Sequence, residues 1–65
     1  MILTPKLNGY VGRAGLISIQ LFQQEDGLWQ VLWGGESIEG APFRTKRLAL
    51  MSLELHNLDH IANEP

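Results

Sequence analysis

The sequence predicts an α+β domain in which a three-stranded antiparallel β-meander packs against one C-terminal α-helix. Three observations predict this fold class. Between about residues 14 and 41, the chain contains short strand-like runs rich in large apolar side chains, at residues 16–22 and 28–33. Turn-forming glycines interrupt that region twice. From about residue 46 onwards, apolar residues recur every three or four positions, which is the period of a helix.

The length and composition of the chain limit how it can be stabilised. It has 65 residues, of which 45% are hydrophobic, and it contains no cysteine. A domain of this size buries only about 60% of the surface of its unfolded chain, close to the lower limit for a core that folds unaided. Neither a disulfide nor a thiolate metal site is available. Unusually good packing or association has to compensate, and we expect a homo-oligomer or an obligate protein partner.

The charge pattern narrows the range of partners. The formal net charge is −2, whereas a general nucleic-acid binder normally carries excess positive charge. No stretch approaches the ~18 apolar residues of a membrane span, and the N-terminus lacks the layout of a signal peptide. We expect a cytoplasmic protein that does not contact membranes.

The chain is expected to divide into a flexible N-terminal arm, residues 1–13, and a single βββα domain, residues 14–65. The arm contains Pro5 and the turn-forming pair Asn8-Gly9. The "GYVGRAG" run from Gly9 to Gly15 spaces three glycines evenly, which might suggest a phosphate-binding loop, but such loops lead into a helix N-terminus. Here a strand-like segment follows, so we expect no phosphate loop.

The first two strands, at about residues 14–24 and 28–34, are joined by a loop whose length decides the buried face. A shift of one residue would exchange the two faces of a strand. A two-residue turn would divide the apolar side chains between both faces. A three-residue loop with Gly27 in the left-handed conformation pairs Gln24 with Leu28 and collects them on one face. We predict this loop, and the collected residues are Ile17, Ile19, Leu21, Trp29, Val31 and Trp33.

The third strand, at about residues 36–41, follows a two-residue turn of two glycines. That turn pairs Val31 with Ile38, which therefore joins the core face. The strand carries two glutamates and leads into a proline, features that suit a protected sheet edge. The opposite face of the sheet combines glutamine and serine with large apolar side chains. We predict that it binds a protein partner through Phe22, Leu28, Gln30 and Leu32.

The helix is predicted to begin after an N-cap at Thr45 and to continue from Lys46 through about Ala62. Its apolar residues fall on two sides. We expect one stripe to cover the tryptophan face of the sheet: Leu48, Met51, Leu55, Leu58 and Ala62. A second patch has no structural role in a one-helix domain, and we assign it to partner binding: Leu50, Leu53 and Ile61.

Two histidines one helical turn apart, His56 and His60, have a spacing that can bind a metal, and Asp59 lies between them. A metalloprotease motif would also need a glutamate beside the first histidine, and no further strong ligand is evident. With Ser52 these residues are expected to form a solvated polar side of the helix. We also find no recognisable nucleophile or carboxylate pair, so we expect neither an enzyme nor a bound metal or cofactor.

Three basic residues, Arg44, Lys46 and Arg47, lie at the start of the helix, where positive charge opposes the helix dipole. Two explanations remain open. Nearby acids such as Glu36 and Glu39 neutralise them, or they contact an anion or a nucleic acid together with the helix amides.

The segments "WQV" at residues 29–31, "GG" at 34–35 and "FRTKRLA" at 43–49 resemble a known module. It is the arm-type DNA-binding domain of phage tyrosine recombinases, and the resemblance covers about residues 16–60. It implies a three-stranded sheet with one C-terminal helix, and a sheet face that enters the DNA major groove. The matching positions carry no arginine or lysine: they are Leu28, Gln30, Leu32, Ser37 and Glu39. Phosphate contacts would then depend on the basic residues at the helix start and on Arg13.

These observations lead to two functional hypotheses. The first is a small non-enzymatic protein-interaction module, encoded by a phage or mobile element, that self-associates and regulates or blocks a larger protein partner. The alternative is a sequence-specific DNA-binding protein that uses the exposed sheet face. The negative net charge favours the first.

Overall fold

A computed structural model describes residues 1–63 as an antiparallel sheet with one C-terminal helix. This confirms the α+β class, but the sheet has five strands in sequential order, not three. The elements are β1 (Leu3–Lys6), β2 (Gly9–Ala14), β3 (Ile17–Gln23), β4 (Trp29–Trp33), β5 (Glu36–Ser37) and α1 (Lys46–Ala62).

The two additional strands come from the segment that the sequence analysis treats as a flexible arm. β1 and β2 form a hairpin, and β2 pairs along its whole length with β3. Glycines, which are poor strand formers, make this pairing possible because they let neighbouring backbone approach closely. A Cβ at Gly9 would collide with the carbonyl oxygen of Leu21, and one at Gly12 would lie 2.7 Å from the carbonyl oxygen of Ile2.

The loop between β3 and β4 has the predicted length. The Gln24 N–H donates to the Leu28 carbonyl at 2.7 Å, and Gly27 adopts a φ of +88°. Leu21 therefore lies opposite Val31. Both are completely buried, as is Ile19, so the predicted core face is confirmed.

The hairpin of β4 and β5 also has the predicted register. Gly34 and Gly35 both have positive φ, and the Ile38 N–H donates to the Val31 carbonyl at 3.2 Å. Ile38 is buried, although β5 ends one residue before it and is shorter than predicted. After a cis Ala41–Pro42 peptide, Phe43 exchanges two backbone hydrogen bonds with Trp29, both of 2.7 Å.

Helix α1 has the predicted bounds and the predicted N-cap, since the Thr45 hydroxyl accepts a hydrogen bond from the Leu48 N–H at 3.1 Å. Its orientation about its own axis is the opposite of the prediction. Ala49 and Leu53 are completely buried against the sheet. The residues expected to cover the tryptophans lie on the outer side of the helix, where they are exposed: Leu48, Met51, Leu55, Leu58 and Ala62.

Trp29 and Trp33 pack on the core, on the side of the sheet that α1 covers. The small Ala49 is completely buried there. The His56 and His60 rings stand edge-on to the Trp33 ring, with centroids 4.7 and 5.4 Å away. The prediction that both histidines belong to a solvated polar side is therefore wrong. Histidine has an apolar ring body, which can cover an indole.

Two candidate interaction surfaces

The outer side of α1 carries a line of large apolar side chains, which we call the outer stripe: Leu48, Met51, Leu55 and Leu58. Each is between 45% and 63% exposed. Their spacing of three, four and three residues keeps them on one line along the helix. This 3–4 alternation is the pattern by which one helix packs against another. The outer stripe therefore has the form of a helix-binding surface.

Shallow grooves run along both sides of the outer stripe. On one side, a groove of about 260 Å³ is lined by Met1, Glu54, Asn57 and Leu58. The groove on the other side has a volume of about 220 Å³ and includes Ile38, Ser52, Leu55 and Asp59. A ridge flanked by two depressions is the relief into which the side chains of a second helix interdigitate.

The helix residues that the sequence analysis assigns to partner binding have different positions. Leu53 is completely buried and belongs to the core, and Leu50 is half-buried against it. Ile61 is 56% exposed and lies beside the outer stripe. Leu53 is therefore not part of a surface, whereas the outer stripe, which was expected to be core, is.

The second surface is the side of the sheet that faces away from α1, which we call the outer sheet face. Successive residues of a strand point to opposite faces, so the registers place its members. Phe22, Gln30 and Leu32 lie here as predicted, all half-buried, and the half-buried Leu28 precedes β4. The hairpin β1–β2 adds four residues that the sequence analysis does not place: Thr4, Lys6, Val11 and Arg13.

The charge of the outer sheet face differs from that of the whole chain. Lys6 and Arg13 are both exposed, and the strand residues β1 to β4 that point to this face include no carboxylate. A shallow depression of about 450 Å³ lies between Arg13 and Gln20. The sequence signal for the β1–β2 hairpin is the Asn8-Gly9 pair, which is followed by Tyr10 and Val11, two residues of high strand propensity.

The basic residues at the helix start do not act as one group. The Lys46 ammonium donates to the Tyr10 hydroxyl and lies 4.3 Å from the centre of the Tyr10 ring. This contact ties the first turn of the helix to β2 and gives a partner to a charge that opposes the helix dipole. Arg44 and Arg47 are exposed, whereas Lys46 is half-buried.

Residues 1–63 hold no group of three or more histidine, cysteine or acidic side chains arranged to share a metal ion. Within the same residues, no helix is both long enough and apolar enough to cross a lipid bilayer. Comparison of the chain with protein-family models, with curated proteins and with solved structures finds no match.

Proposed function

We propose that this chain is a small, non-enzymatic protein-interaction module and that the outer stripe is its principal contact surface. The observation that carries the proposal is the orientation of α1. The helix covers the core with Ala49 and Leu53, whereas the four large apolar residues of the outer stripe remain exposed on the opposite side. Exposed apolar side chains that are contiguous and aligned are typical of a protein-binding surface.

The module acts by occlusion. Association buries the outer stripe, and the bulk of the domain then covers the neighbouring part of a larger protein and blocks or regulates it. Because the stripe itself carries no charge, its binding depends mainly on apolar burial and responds weakly to salt.

Two matched substitutions test this proposal. Leu55→Glu places a charge in the outer stripe, whereas Leu16→Glu makes the same change at the tip of the β2–β3 hairpin, where the leucine is 94% exposed. The immobilised wild type and Leu16→Glu should retain the same proteins from a lysate of the source cells. Leu55→Glu should lose them while keeping its far-UV circular dichroism spectrum. Equal retention by all three proteins would refute the role of the stripe.

Sequence-specific DNA binding through the outer sheet face is the second candidate. The positions that match the arm-type domain carry no basic residue. The β1–β2 hairpin supplies Lys6 and Arg13 to that face, and Gln20 and Gln30 can hydrogen-bond base edges. The positive charge on this face favours a nucleic-acid contact, although the net charge of the whole chain is negative.

A salt titration separates the two candidates. DNA binding through the outer sheet face would weaken steeply as salt rises, and replacing Arg13 with Gln would reduce the slope by about one. Association through the outer stripe would change little over the same range. If no affinity for duplex DNA is found at low salt, the second candidate is excluded.

A further inference from the structure

We infer that the partner that covers the outer stripe is a second copy of this chain, and that the two α1 helices pack antiparallel across a two-fold axis. This inference rests on the proposed function, because it names the occupant of the same surface. In the paired register, Leu48 of one copy lies opposite Leu58 of the other, and Met51 lies opposite Leu55.

The spacing of the outer stripe makes it complementary to itself. Its intervals of three, four and three residues are the same in either direction along the helix. A two-fold axis at the level of Leu53 therefore brings each member of the stripe opposite another member, and none faces a polar residue. A two-fold interface requires such a match, because the same patch supplies both of its sides.

The surface area that a dimer interface buries is compatible with the size of the domain. A standard interface takes about 800 Å² from each partner, which is roughly one sixth of the 4785 Å² surface of the described chain. A helix of 17 residues is about 25 Å long, and its outward half presents roughly 500 Å². The two grooves beside the stripe supply further area as the side chains of the other copy enter them.

The small core gives a reason for pairing. Among residues 1–63, the cluster of completely or almost completely buried side chains has six members: Ile19, Leu21, Val31, Ile38, Ala49 and Leu53. The chain contains no cysteine, so no disulfide can supplement this core. Association of two copies would convert the outer stripe from exposed surface into a second buried layer, which is one of the ways in which domains of this size are stabilised.

The charges along α1 select the antiparallel arrangement. Glu54 and Asp59 flank the outer stripe on its two sides. If the two helices were parallel, Glu54 of each copy would therefore contact Asp59 of the other. A parallel dimer would therefore contain two contacts between like charges. The antiparallel arrangement contains only one contact between like charges, which joins the two Glu54 side chains near the axis. It also opposes the helix dipoles and brings the basic first turn of each helix, with Arg47, to the level of the acidic half of the other.

Light scattering after size exclusion, from micromolar to millimolar concentration, tests whether a second copy of the chain covers the outer stripe. The molar masses of the wild type and of Leu16→Glu should rise to that of a dimer. Leu55→Glu and Leu58→Glu should require at least about tenfold higher concentration for the same rise. A wild-type chain that remains a monomer throughout overturns the inference. The proposed function would still stand if lysate capture distinguishes Leu55→Glu from Leu16→Glu, and it fails independently if capture does not.

Cross-linking tests the orientation, since the native chain has no thiol to interfere. Ser52 lies one residue from the level of the axis, whereas the two Asp59 residues of an antiparallel pair are separated by about 18 Å along the helices. A short bis-maleimide should therefore join Ser52→Cys chains and not Asp59→Cys chains. A mono-maleimide should label both variants and serves as the reactivity control. A parallel pair would link both positions equally, which would overturn the antiparallel arrangement.

Discussion

The orientation of α1 predicts opposite consequences for two leucines that are only two positions apart. Leu53 is completely buried against the sheet, and Leu55 is 63% exposed on the outer stripe. Replacing each with alanine removes the same three carbon atoms. Only Leu53→Ala should substantially lower the free energy of unfolding.

The expected magnitudes follow from burial. At about 0.8 kcal/mol per methylene, the lost transfer free energy at Leu53 is about 2.4 kcal/mol. The cavity left in the core raises the cost to about 3–4 kcal/mol. A domain of this length has a total free energy of unfolding of about 3–10 kcal/mol. Leu53→Ala should therefore remove a large part of it. At Leu55 there is no cavity and only about a third of the side chain is buried, so the cost should stay below about 1 kcal/mol.

Urea unfolding monitored by tryptophan fluorescence measures both effects, because Trp29 and Trp33 pack on the core. The measurement belongs at low protein concentration, where association through the outer stripe does not contribute. The midpoint should fall strongly for Leu53→Ala and slightly for Leu55→Ala, with similar slopes. Equal shifts, or a larger one for Leu55→Ala, would mean that the helix faces the sheet with its other side, and the argument for the outer stripe would then fail.

Three further changes address the helix start, the first hairpin and the histidine contact. Thr45→Ala removes the cap of α1 and should lower the free energy of unfolding by about 1 kcal/mol, whereas Thr45→Ser should keep most of it in the same urea assay. Gly9→Ala forces a methyl group against the β3 backbone, so amide hydrogen exchange should accelerate selectively in β1 and β2. Gly27→Ala, with φ of +88° but open space around it, should cost about 1–2 kcal/mol without that selectivity; identical exchange patterns would contradict the tight β2–β3 approach. His56→Ala removes a ring contact worth about 0.5–1.5 kcal/mol and should shift the emission of Trp33 to longer wavelength; an unchanged spectrum would argue against the contact.

The parts of the fold that could be predicted from sequence are those in which a local rule has one solution. Only a three-residue loop with Gly27 collects the apolar residues of β3 and β4 on one face, and this register is the one observed. The two glycines of the next turn determined the position of Ile38 in the same way. Thr45 likewise determined the start of the helix, because its hydroxyl can cap only the turn that follows it.

The parts that could not be predicted depend on three-dimensional packing. Apolar residues lie on two sides of α1, so periodicity alone offers two orientations, and only the folded structure shows that Ala49 and Leu53 face the core. The β1–β2 hairpin was missed because Gly9 and Gly12 lower its strand propensity. The reason for these glycines is the close approach of neighbouring backbone, which exists only in the folded structure. Both errors affected the candidate site: they exchanged the roles of Leu53 and Leu55 and left Lys6 and Arg13 off the outer sheet face.

The helix covers only one side of the sheet, so the outer stripe and the outer sheet face point in opposite directions from a single layer of core. A molecule bound to one of them therefore leaves the other accessible. In the part of the chain that the structure describes, only the sheet and α1 separate the two surfaces, and both have to stay folded in every complex. Occupying one surface should therefore leave the affinity of the other unchanged, since a coupling free energy requires two states that each ligand distinguishes.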